Sequence, residues 1–205
     1  MRTLIAIPCM EMVHTLFFTS FAAMRKPEGT ELAVASCSLI YEARHTLAKK
    51  AMDDGFDRVL WLDSDMTFDP DLMERFAADL DQGLEYVCGL FFTRKHPCKP
   101  CVYEICHNMP NARGKMEPTA TSFSEIPDGI FEIEGSGFGA VMMTVDLIRK
   151  AGALPFFPEH GYGEDLTFCR KARAAGAKLY CDPRIKVGHV GVSVYSEDTW
   201  KSTKG

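Results

Sequence analysis

No stretch of this 205-residue chain approaches the roughly 18 consecutive apolar residues of a membrane-spanning helix. Its first apolar run, Leu4 to Ile7, is stopped by Pro8 and Glu11, short of the about 7–15 residues of a signal-peptide core. Both absences point to a cytoplasmic protein. A basic excess is missing too: 23 Lys and Arg stand against 28 Asp and Glu, for a net charge of −5. Proteins that grip a nucleic-acid backbone carry a basic stripe, so nucleic acid is not an expected partner. There is no internal repeat and no linker, which argues for one domain over residues 1–205. Eight scattered cysteines without a secretory signal read as reduced thiols rather than a disulfide framework. What remains is an ordinary globular composition, 46% hydrophobic and 25% charged, long enough for one sizeable core.

The first 90 residues alternate strand and helix. Thr3–Pro8 is a short apolar run closed by proline, as a buried parallel strand is. Glu11–Lys26 carries Met12, Leu16, Phe17 and Phe21 at helical spacing, and Pro27 and Gly29 end it. Glu31–Ala35 reads as a strand and Ser38–Asp54 as a helix closed by Gly55. Arg58–Leu62 is the strongest strand signal. Pro70 opens a helix over Asp71–Gln82, and Tyr86–Leu90 is another buried strand. Such alternation predicts an α/β fold with a mostly parallel sheet, flanked by helices and binding ligands at the carboxyl ends of its strands.

From Phe92 to Gly129 the chain holds five prolines (Pro97, Pro100, Pro110, Pro118 and Pro127) and little periodicity. The expectation there is one short strand, Cys101–Ile105, inside a long irregular excursion. Beyond it, short strands are expected around Gly135-Ser136-Gly137, helices at Val145–Ala151 and Glu164–Ala175, and two closing strands, Ala177–Cys181 and Ile185–Val190. Residues 196–205 are polar and read as a mobile tail.

The chemistry-bearing stretch is Asp63-Ser64-Asp65, at the carboxyl end of the most apolar strand. Alternate residues of an extended segment project the same way, so both carboxylates can face one site. Paired carboxylates without a basic neighbour suit a hard divalent cation, which in turn accepts phosphate oxygens. The plain alternative is a polar turn that caps the next helix, although Asp69 is available for that. Gly161-Tyr162-Gly163-Glu164-Asp165 places an acid pair at the start of a late helix, where capping is the simpler reading. His189, between Gly188 and Val190-Gly191, is either a metal ligand or an ordinary histidine.

In this order, the three features resemble glycosyltransferases of the GT-A fold, and family-two-like sequences in particular. Tyr41-Glu42-Ala43-Arg44 is similar to a helix start of that family, and Glu134 to Ala140 to its glycine-rich segment. The likeness spans residues 3–191. Two departures stand out: the Asp-Asp-Gly-Ser run that contacts the base is replaced here by Ala35-Ser36-Cys37-Ser38, and His45 stands where the helix start has Asn. The resemblance implies metal-dependent, inverting transfer of a sugar from a UDP- or GDP-linked donor to a hydroxyl acceptor. It implies Mn²⁺ (or Mg²⁺) on Asp65, His189 and Asp63, with Pro8, Arg44, Asp63 and Asp65 on the donor. Asp165 is the implied base and Glu164 its helper, and Gly135, Ser136 and Gly137 lie on the acceptor side.

Competing readings stay open at this point. Cys98 and Cys101, followed by Cys106 and His107, have the spacing of a zinc knuckle, although two adjacent ligands and Pro100 strain it. Phe91 to His96, just after a strand, is either an acceptor- or phosphate-facing edge or a solvated turn. A sugar nucleotidyltransferase would share the fold, but its glycine-rich basic loop is replaced here by Pro8-Cys9-Met10-Glu11. A catalytically silent sugar-nucleotide binder or partner-binding protein is the non-enzymatic alternative.

Overall fold

The computed structural model describes residues 1–191 and 194–202. In chain order the first half runs β1 (Thr3–Cys9), α1 (Thr15–Ala23), β2 (Thr30–Ser36), α2 (Ile40–Asp53), β3 (Arg58–Leu62), β4 (Met66–Phe68), α3 (Leu72–Leu80) and β5 (Tyr86–Leu90). The second half runs β6 (Val102–Pro110), β7 (Met116–Ser122), β8 (Phe131–Ile133), β9 (Gly135–Ser136), β10 (Ala140–Thr144), α4 (Val145–Lys150), α5 (Glu164–Ala174), β11 (Leu179–Val190), β12 (Val194–Tyr195) and α6 (Glu197–Ser202).

The main sheet has the order β12-β11-β5-β10-β3-β1-β2, with β4 and β8 also paired to β11. Strands β1, β2 and β3 are mutually parallel, and β11 is parallel to β5. Because β10 is antiparallel to both β3 and β5, those two run the same way, and five strands bring their carboxyl ends to one edge. This is an α/β architecture with a mostly parallel mixed sheet flanked by helices. A smaller three-stranded sheet, β7-β6-β9, stands beside it.

Both faces of β3 are buried. Val59 and Trp61 pack into one core layer with Phe138, Phe156 and Phe168; Leu60 and Leu62 pack into the other with Phe76 and Met142. Burial on both sides explains why Arg-Val-Leu-Trp-Leu is apolar almost without alternation. Trp61 and Phe156 meet edge to face at 5.1 Å, and Phe156 stacks on Phe168 at 4.9 Å. No helix among the described residues is long and apolar enough to cross a membrane.

The structure departs from the sequence expectations in four places. Helix α1 begins at Thr15 rather than Glu11, because the preceding residues serve the site and His14 caps the helix through Nδ1, which accepts the Leu16 N–H at 3.1 Å. The expected irregular excursion contains the β6–β7 hairpin, paired from Tyr103–Ser122 to Pro110–Met116. Its turn is held by Asn111 Oδ1, which accepts N–H groups of Arg113 and Lys115, and by Gly114 at φ 75°. The two closing strands are one strand, β11, carrying a register shift between Asp182 and Lys186. Finally, residues 197–202 of the expected tail form α6, whose Trp200 is buried and stacks on Phe92 at 5.2 Å; residues 203–205 lie outside the described residues.

Candidate active site

The ends of four strands and one helix meet around a cleft of about 400 Å³. Pro8, Cys9 and Met10 come from the end of β1; Cys37, Ser38 and Ile40 from the start of α2; Asp63, Ser64 and Asp65 from the β3–β4 turn; Arg94 from the loop after β5; His189 from β11. The acidic turn is fixed through its backbone. The Asp63 N–H donates to Gly139 O at 3.0 Å, Ser64 O accepts from the His14 N–H at 3.0 Å, and Asp65 O accepts from the Val190 N–H at 2.8 Å. Three separate segments thereby hold the backbone of one tripeptide and fix the direction in which its side chains leave it.

Beneath the cleft lies Arg44, 2% exposed. Its Nη2 donates to Asp63 Oδ1 at 2.8 Å and its Nε to Glu164 Oε1 at 3.3 Å. The guanidinium also lies over the Phe138 ring at 5.1 Å and the Trp61 ring at 5.7 Å, apolar faces that tolerate a weakly hydrated cation. Burial works against its charge, but Asp63, Glu164 and Asp165 together outweigh burial and keep Arg44 protonated. Burial pushes the Asp63 carboxyl above its ordinary value, and Arg44 only partly opposes that. Arg44 thus joins Asp63, which lines the cleft, to Glu164 at the start of α5.

Asp165 opens α5 beside Glu164. Its Oδ1 accepts the Leu166 N–H at 2.7 Å. Burial, reinforced by the neighbouring Glu164 charge, raises its carboxyl to about 6. Such a group is ionised at neutral pH yet basic enough to accept a proton.

The second carboxylate of the turn has different partners. Asp65 Oδ2 lies 3.5 Å from His189 Nε2 and accepts from Arg94 Nη1 at 2.7 Å. His189 Nδ1 is 2.9 Å from Phe92 O, which can only accept, so Nδ1 donates there and Nε2 is the ring nitrogen turned toward Asp65. Burial works to raise the Asp65 carboxyl, and His189 and Arg94 outweigh it, holding it below the ordinary carboxylate value. Phe91 packs edge-on against the His189 ring at 5.9 Å.

The donor set fits a divalent cation in one respect. A carboxylate and an imidazole whose far nitrogen is tied to a carbonyl form the usual protein half of such a site, the other positions being left to phosphate and water. Three ligands do not converge: among the described residues no group of three or more His, Cys, Asp and Glu side chains is arranged to hold a metal. Asp63, the third expected ligand, accepts from Arg44 through Oδ1 at 2.8 Å. The cysteines do not assemble a zinc knuckle either. Cys98 packs in the Trp61 layer and Cys101 in the Leu60 layer, while His107 Nδ1 sits 2.8 Å from Glu134 Oε2.

The glycine-rich segment, expected on the acceptor side, is closely packed. Ser136 is fully buried, its Oγ 2.7 Å from Tyr86 OH. Gly135 is also buried, and a Cβ there would lie 3.2 Å from Leu166 and 3.3 Å from Cys106 Sγ. At Gly137 a Cβ would lie 3.0 Å from the Phe91 ring and 3.7 Å from Asp165 Oδ2. These positions are small because β9 passes between the β6 sheet, α5 and Phe91. Arg94 belongs to the Phe91–His96 stretch, which the sequence leaves open between a ligand-facing edge and a solvated turn. The signal for it is its place just past the carboxyl end of β5, where this sheet presents groups to a ligand.

No protein-family model matches the sequence, and no curated protein matches it. Solved structures do match in shape. A197 from STIV aligns over 93% of this chain and 86% of its own, with a TM-score of 0.67 and 22% identity. GalNAc-T7 with UDP, GalNAc and Mn²⁺ aligns over 93% of this chain but 43% of its own, with a TM-score of 0.61 and 11% identity. S. aureus TarS 1–349 aligns over 89% of this chain and 60% of its own, with a TM-score of 0.56 and 14% identity. The chain thus spans about half of the two longer relatives, and what it shares with all three is a fold. That fold is the α/β fold of GT-A-like glycosyltransferases.

Proposed function

We propose that the chain is a metal-dependent glycosyltransferase that moves a sugar, with inversion, from a UDP- or GDP-linked donor to a hydroxyl acceptor. The observation that carries this reading is the pairing of Asp65 with Nε2 of His189 at the carboxyl edge of a GT-A-like sheet. Asp65 and His189 would hold the cation, and the imidazole nitrogen favours Mn²⁺ over Mg²⁺. When bound there, the cation supplies Lewis-acid stabilisation of charge on the leaving diphosphate.

The chain's own groups do the rest. Pro8 and Cys37 line the part of the cleft nearest β1 and β2, where the nucleoside would sit. Asp63, oriented by Arg44, faces the same cleft and suits a ribose hydroxyl or the cation's water shell. Asp165 takes the proton of the acceptor hydroxyl as that oxygen bonds to the anomeric carbon. The carbon's bond to the diphosphate oxygen breaks, and its electron pair leaves with the diphosphate. Glu164, tethered by Arg44, keeps α5 and hence Asp165 in register with the turn.

Release of UDP or GDP from a panel of nucleotide sugars, with water as the acceptor, tests the reading. Wild type is expected to release nucleotide from a subset of donors in the presence of Mn²⁺. Asp165→Asn is expected to bind that nucleotide but to turn over at least about 100-fold more slowly. Nucleotide binding without turnover on any donor or acceptor would instead favour the silent binder.

A further inference from the structure

Among the described residues, Arg94 is the one Lys or Arg side chain lining the candidate cleft, and it is about half exposed. Arg44, the other cation of the site, is buried and bound to two carboxylates, so it is not free to meet a substrate anion. Arg94 is held differently. It stands on the exposed Thr93–His96 loop, and its Nη1 alone makes the two bonds that fix it, to Asp65 Oδ2 at 2.7 Å and to Val190 O at 3.2 Å. Its remaining donors are not committed to those two acceptors. The anchoring oxygen, Asp65 Oδ2, is the same one that faces His189 Nε2.

These contacts place a cation on the carboxylate that the proposed function assigns to a metal. We infer that Arg94 is an exchangeable occupant of Asp65 that becomes a diphosphate ligand when nucleotide and metal enter together. The inference rests on the reading of Asp65 and His189 given above. The charges require some such partner. Asp63, Asp65, Glu164 and Asp165 outnumber Arg44 and Arg94 around the cleft and its floor, and a nucleoside diphosphate brings further negative charge. A divalent cation placed on Asp65 displaces the Arg94 guanidinium from Oδ2 and brings phosphate oxygens to the same spot. The released planar fork is then beside an anion whose geometry it matches. An exposed ion pair contributes little by itself, so the exchange is easily made. In the free protein the same contact shields Asp65 from cations that arrive without a nucleotide.

The exchange makes an unusual prediction: removing Arg94 should move two affinities in opposite directions. Calorimetric titration of Arg94→Ala with Mn²⁺ alone should show binding about 2–5-fold tighter than wild type, because its competitor is gone. Titration with UDP and GDP in the presence of Mn²⁺ should show the preferred nucleotide bound about tenfold or more weakly. Arg94→Lys, which keeps the charge but not the fork, should lie between the two. Uridine or guanosine, which lack phosphate, should bind both proteins equally. If Arg94→Ala binds nucleotide within twofold of wild type, the inference is wrong while the parent reading survives. If Mn²⁺ and nucleotide both weaken, Arg94 builds the site rather than guarding it, and the exchange is again overturned. Failure of wild type to bind either nucleotide with Mn²⁺ would remove both readings together.

Discussion

Arg44 Nη2 reaches Asp63 Oδ1 at 2.8 Å from a position that is 2% exposed, so the first acid of Asp63-Ser64-Asp65 is oriented from inside the core. The same guanidinium spans to Glu164, 120 residues further along the chain, which joins the β3 turn to the start of α5. One buried cation thus sets the relative position of the two acid pairs.

Replacing Arg44 should therefore cost more than a surface ion pair would. Arg44→Met leaves Asp63 and Glu164 without their cation, and chemical denaturation should show a loss of about 3–5 kcal/mol. Arg44→Lys should recover only part of this, because an ammonium cannot reach both carboxylates and lie over Trp61 and Phe138 as a plane does. Near-wild-type stability of Arg44→Met would mean that the carboxylates are satisfied in some other way.

Asp79 predicts an opposite kind of result. Burial and the adjacent Asp182 raise its carboxyl to about 6, even with Arg184 nearby. The folded state then holds a proton that the unfolded state has already released between pH 4 and pH 6, so stability falls as pH rises through that window. Asp79→Asn keeps the shape without the charge. It should be more stable than wild type at pH 7.5, by roughly 1 kcal/mol, with the advantage shrinking toward pH 4. Parallel melting temperatures of the two proteins across pH 4–8 would contradict this.

With Asp165 as the proposed base, its raised carboxyl predicts the pH dependence of turnover. A general base must be ionised, so the rate should fall as pH drops through about 6 rather than through the ordinary carboxylate range near 4. Steady-state nucleotide release between pH 4.5 and 8 measures this limb directly. A limb centred near 4 would remove Asp165 from the role.

At Gly137 an added methyl would come within 3.0 Å of the Phe91 ring, which in turn packs on His189. Gly137→Ala should destabilise the protein by about 1–3 kcal/mol and weaken Mn²⁺ binding through the displaced imidazole. The methyl touches no cleft ligand itself, so unchanged Mn²⁺ affinity would show that Phe91 yields without moving His189.

How much of this is legible in the sequence depends on what each residue packs against. Arg58–Leu62 reads as a strand because both of its faces are buried, and Asp63 and Asp65 stand out against that apolar run. The β6–β7 hairpin is hard to read because its strands are largely solvated, so residues such as Glu117, Pro118 and Thr119 carry no hydrophobic alternation. The break expected at Asp182-Pro183-Arg184 is a bulge: Asp182 Oδ1 accepts the Arg184 N–H at 2.9 Å and carries the strand through a sequence that looks like a turn. Within the site, spacing singles out the acids and His189. Local sequence says nothing of which carboxylate faces which cation, because Arg44, Arg94 and Glu164 reach the β3 turn from separate parts of the chain.

The most direct test of the central claim is a Mn²⁺-dependent titration of UDP and GDP on wild type, Asp65→Ala and His189→Ala. The account predicts that wild type binds one of the two nucleotides only with metal, and that each variant, while still folded, loses that binding by about tenfold or more. Nucleotide binding that ignores Mn²⁺, or survives both substitutions, would contradict the assignment of Asp65 and His189 as the metal-holding pair.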